Sequence, residues 1–135
     1  MMTWERVYTV EDIFDGTPTK GVADVNGEPH FFEGHFNTTE DRFTNVYSAW
    51  VVSGEILPLV MERWEIWCRW RTAFERGATD LGTHPALPAE RNRYYELGKT
   101  IESELLDPSR KVIAKRGKFR RTSSDQFEVT WSEVG

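Results

Sequence analysis

Apolar and polar residues alternate near the start of the chain. In the run from Thr3 to Val10, Trp4, Arg6, Tyr8 and Val10 fall on one side and Thr3, Glu5, Val7 and Thr9 on the other. That two-residue period predicts a strand. Asp15 to Gly21 is dense in turn formers and predicts a loop. Asn26-Gly27, set between two strand-like runs, predicts a two-residue hairpin turn with positive φ at both residues. Such a turn pairs Val25 with Glu28, Ala23 with His30 and Gly21 with Phe32. It puts His30, Phe32 and Phe36 on one face and Phe31, Glu33 and His35 on the other, unless Gly34 makes a bulge. The polar stretch from Phe36 to Arg42 predicts a turn. Phe43 to Val52 reads as a central strand, apolar on both sides and bounded by Ser53-Gly54.

The period then becomes helical from about Glu55 to Arg76, with Pro58 in the first turn and a stop at Gly77. After a connecting loop, a second helix runs between Pro88 and Asp107-Pro108, its apolar stripe formed by Tyr94, Leu97, Ile101 and Leu105. Lys111 to Arg121 is expected to fold about Arg116-Gly117. The final segment alternates Phe127, Val129 and Trp131 against Glu128, Thr130 and Ser132. No repeat and no long linker divides the chain. The expectation is one α+β domain over residues 1–135. It would be a twisted antiparallel sheet or small open barrel, with two helices inserted between early and late strands and packed against it.

Composition adds material for the core: six Trp, eight Phe and four Tyr among 135 residues. The net charge of −5 hides a division. Seven of the seventeen basic residues, and no acid, lie between Arg110 and Arg121, which leaves ten basic against twenty-two acidic residues, or −12, elsewhere. An acidic body argues against a general nucleic-acid binder. The basic segment, with Lys115, Arg116, Lys118, Arg120 and Arg121, is a weak candidate for tracking phosphates. Its alternative role is to neutralise the acidic body, with Glu128 as a cross-strand partner. Cys68 is the single cysteine, placed in an apolar helical run as a buried, inert thiol. Neither a signal-peptide core nor a membrane span is evident, so a cytoplasmic location is expected.

The first helix carries the most pointed chemistry. Its polar side is narrow, formed by Glu62, Glu65, Arg69, Thr72 and Arg76, so the helix is expected to be largely buried, with Trp64 and Trp70 in the core. Arg63, Trp67 and Arg71, spaced four residues apart, fall inside the apolar arc. A buried guanidinium must be paired, stacked or hydrated. Two readings stand. Glu11, Asp12, Asp15 or Glu33 can neutralise these arginines within the protein. Alternatively Arg63 and Arg71, stacked around Trp67, face a pocket and hold an anion, with Asp15, Glu33 and His35 on the same surface.

Other constellations are weaker. His30, Glu33 and His35 suggest a metal, but alternation splits them between faces and leaves the set a ligand short. No Gly-x-Ser-x-Gly motif or Gly-rich phosphate loop is present. No catalytic residue, metal or cofactor is therefore assigned.

Three stretches, Val10 to Glu33, Glu62 to Phe74 with Gly77, and His84 to Leu97, resemble a family of small uncharacterised bacterial proteins. That family pairs a Gly-Val/Ile-Ala-Asp and Pro-His hairpin with a Trp-rich helix and a His-Pro-Ala-Leu-Pro loop. The resemblance implies a bacterial, cytoplasmic protein and carries over no activity. Ile13-Phe14 and Thr17 depart from the family's aromatic and Pro-Arg residues. The expected function is a non-enzymatic binding or interaction module, monomeric or homodimeric, for a small anion or a protein partner, with nucleic acid disfavoured and no membrane. The alternatives are a small hydrolase using carboxylates and His35, and an antitoxin- or immunity-like inhibitor.

Overall fold

The computed structural model describes residues 3–123 and 126–134. The chain falls into two compact units, one formed by residues up to Val52 and from Ser109 onward, the other by Ser53–Pro108. The first unit holds six strands: β1 (Glu5–Phe14), β2 (Thr17–Val25), β3 (Glu28–Asn37), β4 (Arg42–Val51), β5 (Ile113–Ser123) and β6 (Gln126–Glu133). All neighbouring pairs are antiparallel, and β6 returns to β1, so the sheet closes into a barrel in chain order. The expected open sheet is thus corrected to a closed one. Closure satisfies both edges of the sheet, which an open sheet of this length would leave as unpaired backbone.

The Asn26-Gly27 turn forms as expected, with φ of 54° and 77°, and sets the expected register of Val25 with Glu28, Ala23 with His30 and Gly21 with Phe32. Gly34 lies at a register shift between β3 and β4. Two segments differ from expectation. Asp15 to Gly21 is not a loop: Asp15-Gly16 alone makes a turn, with φ of 53° and 79°, and Thr17 already begins β2. Arg116-Gly117 is not a turn either, since β5 runs through it without interruption.

The reason for Gly117 lies inside the barrel. Residues paired across an antiparallel sheet share a face. The inward face therefore collects Phe32 and Ala49, Gly34 and Tyr47, Gly117 and Trp131, and Phe119 and Val129. Phe32, Tyr47, Phe119 and Trp131 meet one another in all six pairings, with ring centroids 5.2–6.2 Å apart. Barrel diameter grows with strand number, and six strands enclose a narrow interior that four large rings fill. Something on the wall must then be small. A Cβ on Gly117 would lie 2.7 Å from Trp131 Cζ3 and 3.0 Å from Tyr47 Cδ1. Tyr47 Oη donates to the Pro18 carbonyl at 2.7 Å, and Trp131 Nε1 to the Asp24 carbonyl at 2.8 Å, so the buried polar tips are satisfied.

The second unit is a pair of helices, α1 (Leu57–Glu75) and α2 (Arg91–Leu105), the latter preceded by a 3-10 turn at Pro88–Glu90. Pro58 lies in the first turn of α1, and Gly77 closes it with φ of 73° and an N–H donated to the Phe74 carbonyl. Contacts between the helices run in opposite order: Arg69 to Glu90, Glu62 to Arg93, and Ser53 to Glu104. The pair is therefore antiparallel. The expectation that α1 is largely buried holds only in part. Val60, Ile66 and Trp70 are buried, Trp64, Trp67 and Cys68 are half-buried, and Phe74 is exposed. Among the described residues, no helix is long and apolar enough to cross a membrane.

Candidate functional site

Arg63 and Arg71 are both engaged within the helical unit. The Arg63 guanidinium lies 3.8 Å from the Tyr94 ring centre, and its Nε donates to the Tyr94 carbonyl at 3.1 Å. Gly98 makes room for it, since a Cβ there would come 2.8 Å from Arg63 Nη2. Arg71 lies over Trp67 at 5.1 Å and pairs with Glu75 at 3.5 Å. The stacking of Arg71 on Trp67 follows from the four-residue spacing. The use of Tyr94 by Arg63 does not, because it depends on which face of α2 is presented.

Asp15, Glu33 and His35 belong to the barrel unit. Asp15 occupies the tight turn between β1 and β2. Glu33 pairs in register with Lys20 and Ser48, and His35 Nε2 lies 2.6 Å from Ser48 Oγ on an exposed surface. His30 is buried and donates from Nδ1 to the Glu28 carbonyl at 2.6 Å. Among the described residues, no three His, Cys, Asp or Glu side chains converge as a metal site requires.

From Ile113 onward the basic segment is strand β5, and several of its side chains find individual partners. Arg120 pairs with Glu128 at 2.7 Å and covers Trp4 at 3.9 Å, and Arg121 covers Phe127 at 4.6 Å. Arg116 Nη1 donates to Asn45 Oδ1 at 2.8 Å. Lys115 pairs with Glu133. Cross-strand neutralisation thus accounts for Lys115 and Arg120.

These strands also frame a cleft. The seam between β1 and β6 is short, with Glu5 opposite Val129 and Arg6 opposite Glu128, while β6 continues beside β5 as far as Glu133. Where β1 begins, the barrel wall leaves a cleft of about 1000 Å³. Its lining includes Trp4, Glu5, Asp24, Lys115, Arg116, Lys118, Trp131 and Glu133. That volume lies within the range of small-molecule sites.

The charges in the cleft are not equivalent. The Glu5 carboxylate accepts the N–H groups of Asn26 at 3.1 Å and Gly27 at 2.7 Å, so the hairpin turn already holds it. Asp24 accepts the Tyr8 hydroxyl at 2.9 Å. Partial burial, and then that carboxylate, raise the Tyr8 phenol above its ordinary value. The Lys115 side chain is only 16% exposed, whereas its partner Glu133 is 82% exposed. A lysine side chain sheltered to that degree is favoured by a counter-charge, and the carboxylate paired with it sits on a side chain facing solvent. The sequence names Lys115 only as one member of the weak basic patch. It shares the phase of Gly117 and Phe119, whose small and aromatic side chains mark the inward face. Trp131, Glu5 and Glu133 carry no local signal of their own.

The molecule thus presents a closed six-stranded antiparallel barrel with a helical pair inserted between its fourth and fifth strands, and a charged, aromatic-walled cleft at one end of the barrel. Comparison with protein-family models, with curated proteins and with solved structures finds no match for this chain.

Proposed function

We propose that this chain is a non-enzymatic binding module that takes a small anionic ligand in the barrel-end cleft. Lys115, on the same inward face as Trp131, supplies the positive charge, and Trp131 supplies an apolar wall. The carrying observation is the sheltered Lys115 side chain paired with the largely exposed carboxylate of Glu133. The packed aromatic interior supports a ligand at the mouth of the barrel rather than inside it. In this reading Arg63, Trp67 and Arg71 serve the fold of the helical unit, and Asp15, Glu33 and His35 lie outside the ligand surface. The hydrolase alternative draws less support, because among the described residues the cleft lining includes no histidine, and His35 lies toward the β3–β4 turn, away from the end of the barrel that holds the cleft.

A calorimetric and thermal-shift titration with acetate, sulfate and inorganic phosphate tests the proposal on the wild type and on Lys115→Met. A ligand at a hundred times its Kd stabilises the fold by about 2.7 kcal/mol. The wild type should show a rise in melting temperature that Lys115→Met loses. Equal responses from the two proteins would end the reading.

A further inference from the structure

The residue seated on Lys115 is itself informative, and the inference drawn from it rests on the anion-binding reading above. Lys115 and Glu133 are register partners on β5 and β6, and the pair Gly117 and Trp131 stands next to them on the same inward face. A carboxylate therefore already occupies the ammonium, with an indole as its next neighbour along the strand. The indole is held in place: its Nε1 donates to the Asp24 carbonyl, and its inner side packs on Tyr47, Phe32 and Phe119. Such a ring offers a preset apolar wall at little conformational cost. The other two carboxylates of the cleft are occupied, Glu5 by the turn N–H groups and Asp24 by Tyr8. They do not compete for Lys115.

We infer that the ligand of this cleft is an aromatic monocarboxylate, whose carboxylate replaces that of Glu133 on Lys115 while its ring lies against Trp131. Glu133 acts as a tethered occupant that the ligand displaces. Its exposed side chain can swing into solvent without leaving a buried charge behind. A planar carboxylate with one ammonium partner suits this site better than a phosphate. Phosphate recognition calls for several convergent donors, and Arg116 is turned toward Asn45.

The test titrates 2-naphthoate, acetate and inorganic phosphate into the wild type, Glu133→Gln and Lys115→Met, following heat and the Trp131 indole and Gly117 amide NMR signals. Naphthoate should bind the wild type about tenfold or more tighter than acetate, from ring contact with the indole. Glu133→Gln should tighten naphthoate by about fivefold or more, as removal of an internal occupant does. Lys115→Met, shown to be folded by its circular dichroism, should lose the binding. Lys115-dependent binding in which phosphate or acetate matches naphthoate would overturn this inference and leave the anion-binding module intact. If no anion binds even Glu133→Gln, both fall.

Discussion

Gly117 on β5 and Trp131 on β6 stand directly opposite one another, and a methyl group on Gly117 would meet the indole at 2.7 Å. The indole cannot retreat, because Tyr47, Phe32 and Phe119 back it. Gly117→Ala is therefore expected to destabilise the barrel by about 1–3 kcal/mol, as overpacking of a filled core does. Gly54→Ala is the control, since nothing lies within 4 Å of its Cβ position and the change should stay within about 0.5 kcal/mol. Urea unfolding of the two variants measures the difference.

Tyr47 gives the barrel an alkaline limit. Burial pushes its phenol from 10.0 up to about 12. A group whose folded value is raised contributes stability that is complete below pH 10 and is lost as pH climbs toward 12. Stability should fall across that window, and Tyr47→Phe should flatten the fall. Below pH 10 the same variant should cost about 1 kcal/mol, because the Pro18 carbonyl loses its donor. Absorbance titration of the phenols, paired with unfolding at each pH, checks both effects.

At the acid end the helical unit is the sensitive one. The hydrogen bonds from Arg69 to Glu90 and from Arg93 to Glu62 hold both carboxyls below the ordinary 4.5. Lowered folded values mean stability that is full above pH 4.5 and lost as pH drops through them. Melting temperatures from pH 6 to pH 3 should decline less steeply in the double variant Glu62→Gln, Glu90→Gln than in the wild type. Parallel curves would show that these exposed pairs contribute nothing to acid stability.

Arg63 joins the two helices through one face and one edge of its guanidinium. Arg63→Ala should destabilise the protein by about 1–2 kcal/mol, from the lost Tyr94 ring contact and the lost second hydrogen bond to the Tyr94 carbonyl. Arg63→Lys should recover little of this, because an ammonium lacks the planar fork. Denaturant unfolding ranks the two variants.

Some of this architecture is visible in short stretches of chain. Asn26-Gly27 announces its turn and, through it, the pairing of β2 with β3, because only a few residue types tolerate two successive positive φ angles. Asp15-Gly16 carries the same signature, yet Thr17, Pro18 and Thr19 after it look like loop and instead form β2, because the pairing of Thr17 and Pro18 with the end of β1 outweighs their poor local preference. Gly117 misleads for the opposite reason: its role is to be small where rings meet, and those rings come from β4 and β6.

The chain by itself determined the Asn26-Gly27 register, the bounds of α1 at Pro58 and Gly77, and the Trp67 and Arg71 stack. Each follows from backbone or spacing chemistry within a few residues. Only tertiary structure decided that the sheet closes from β6 to β1, that Arg63 rests on Tyr94, and that Lys115 meets Glu133 beside Trp131 at the edge of a cleft. Those contacts join residues far apart in sequence, so their partners are set by how the strands close the barrel and by which faces the two helices turn to each other.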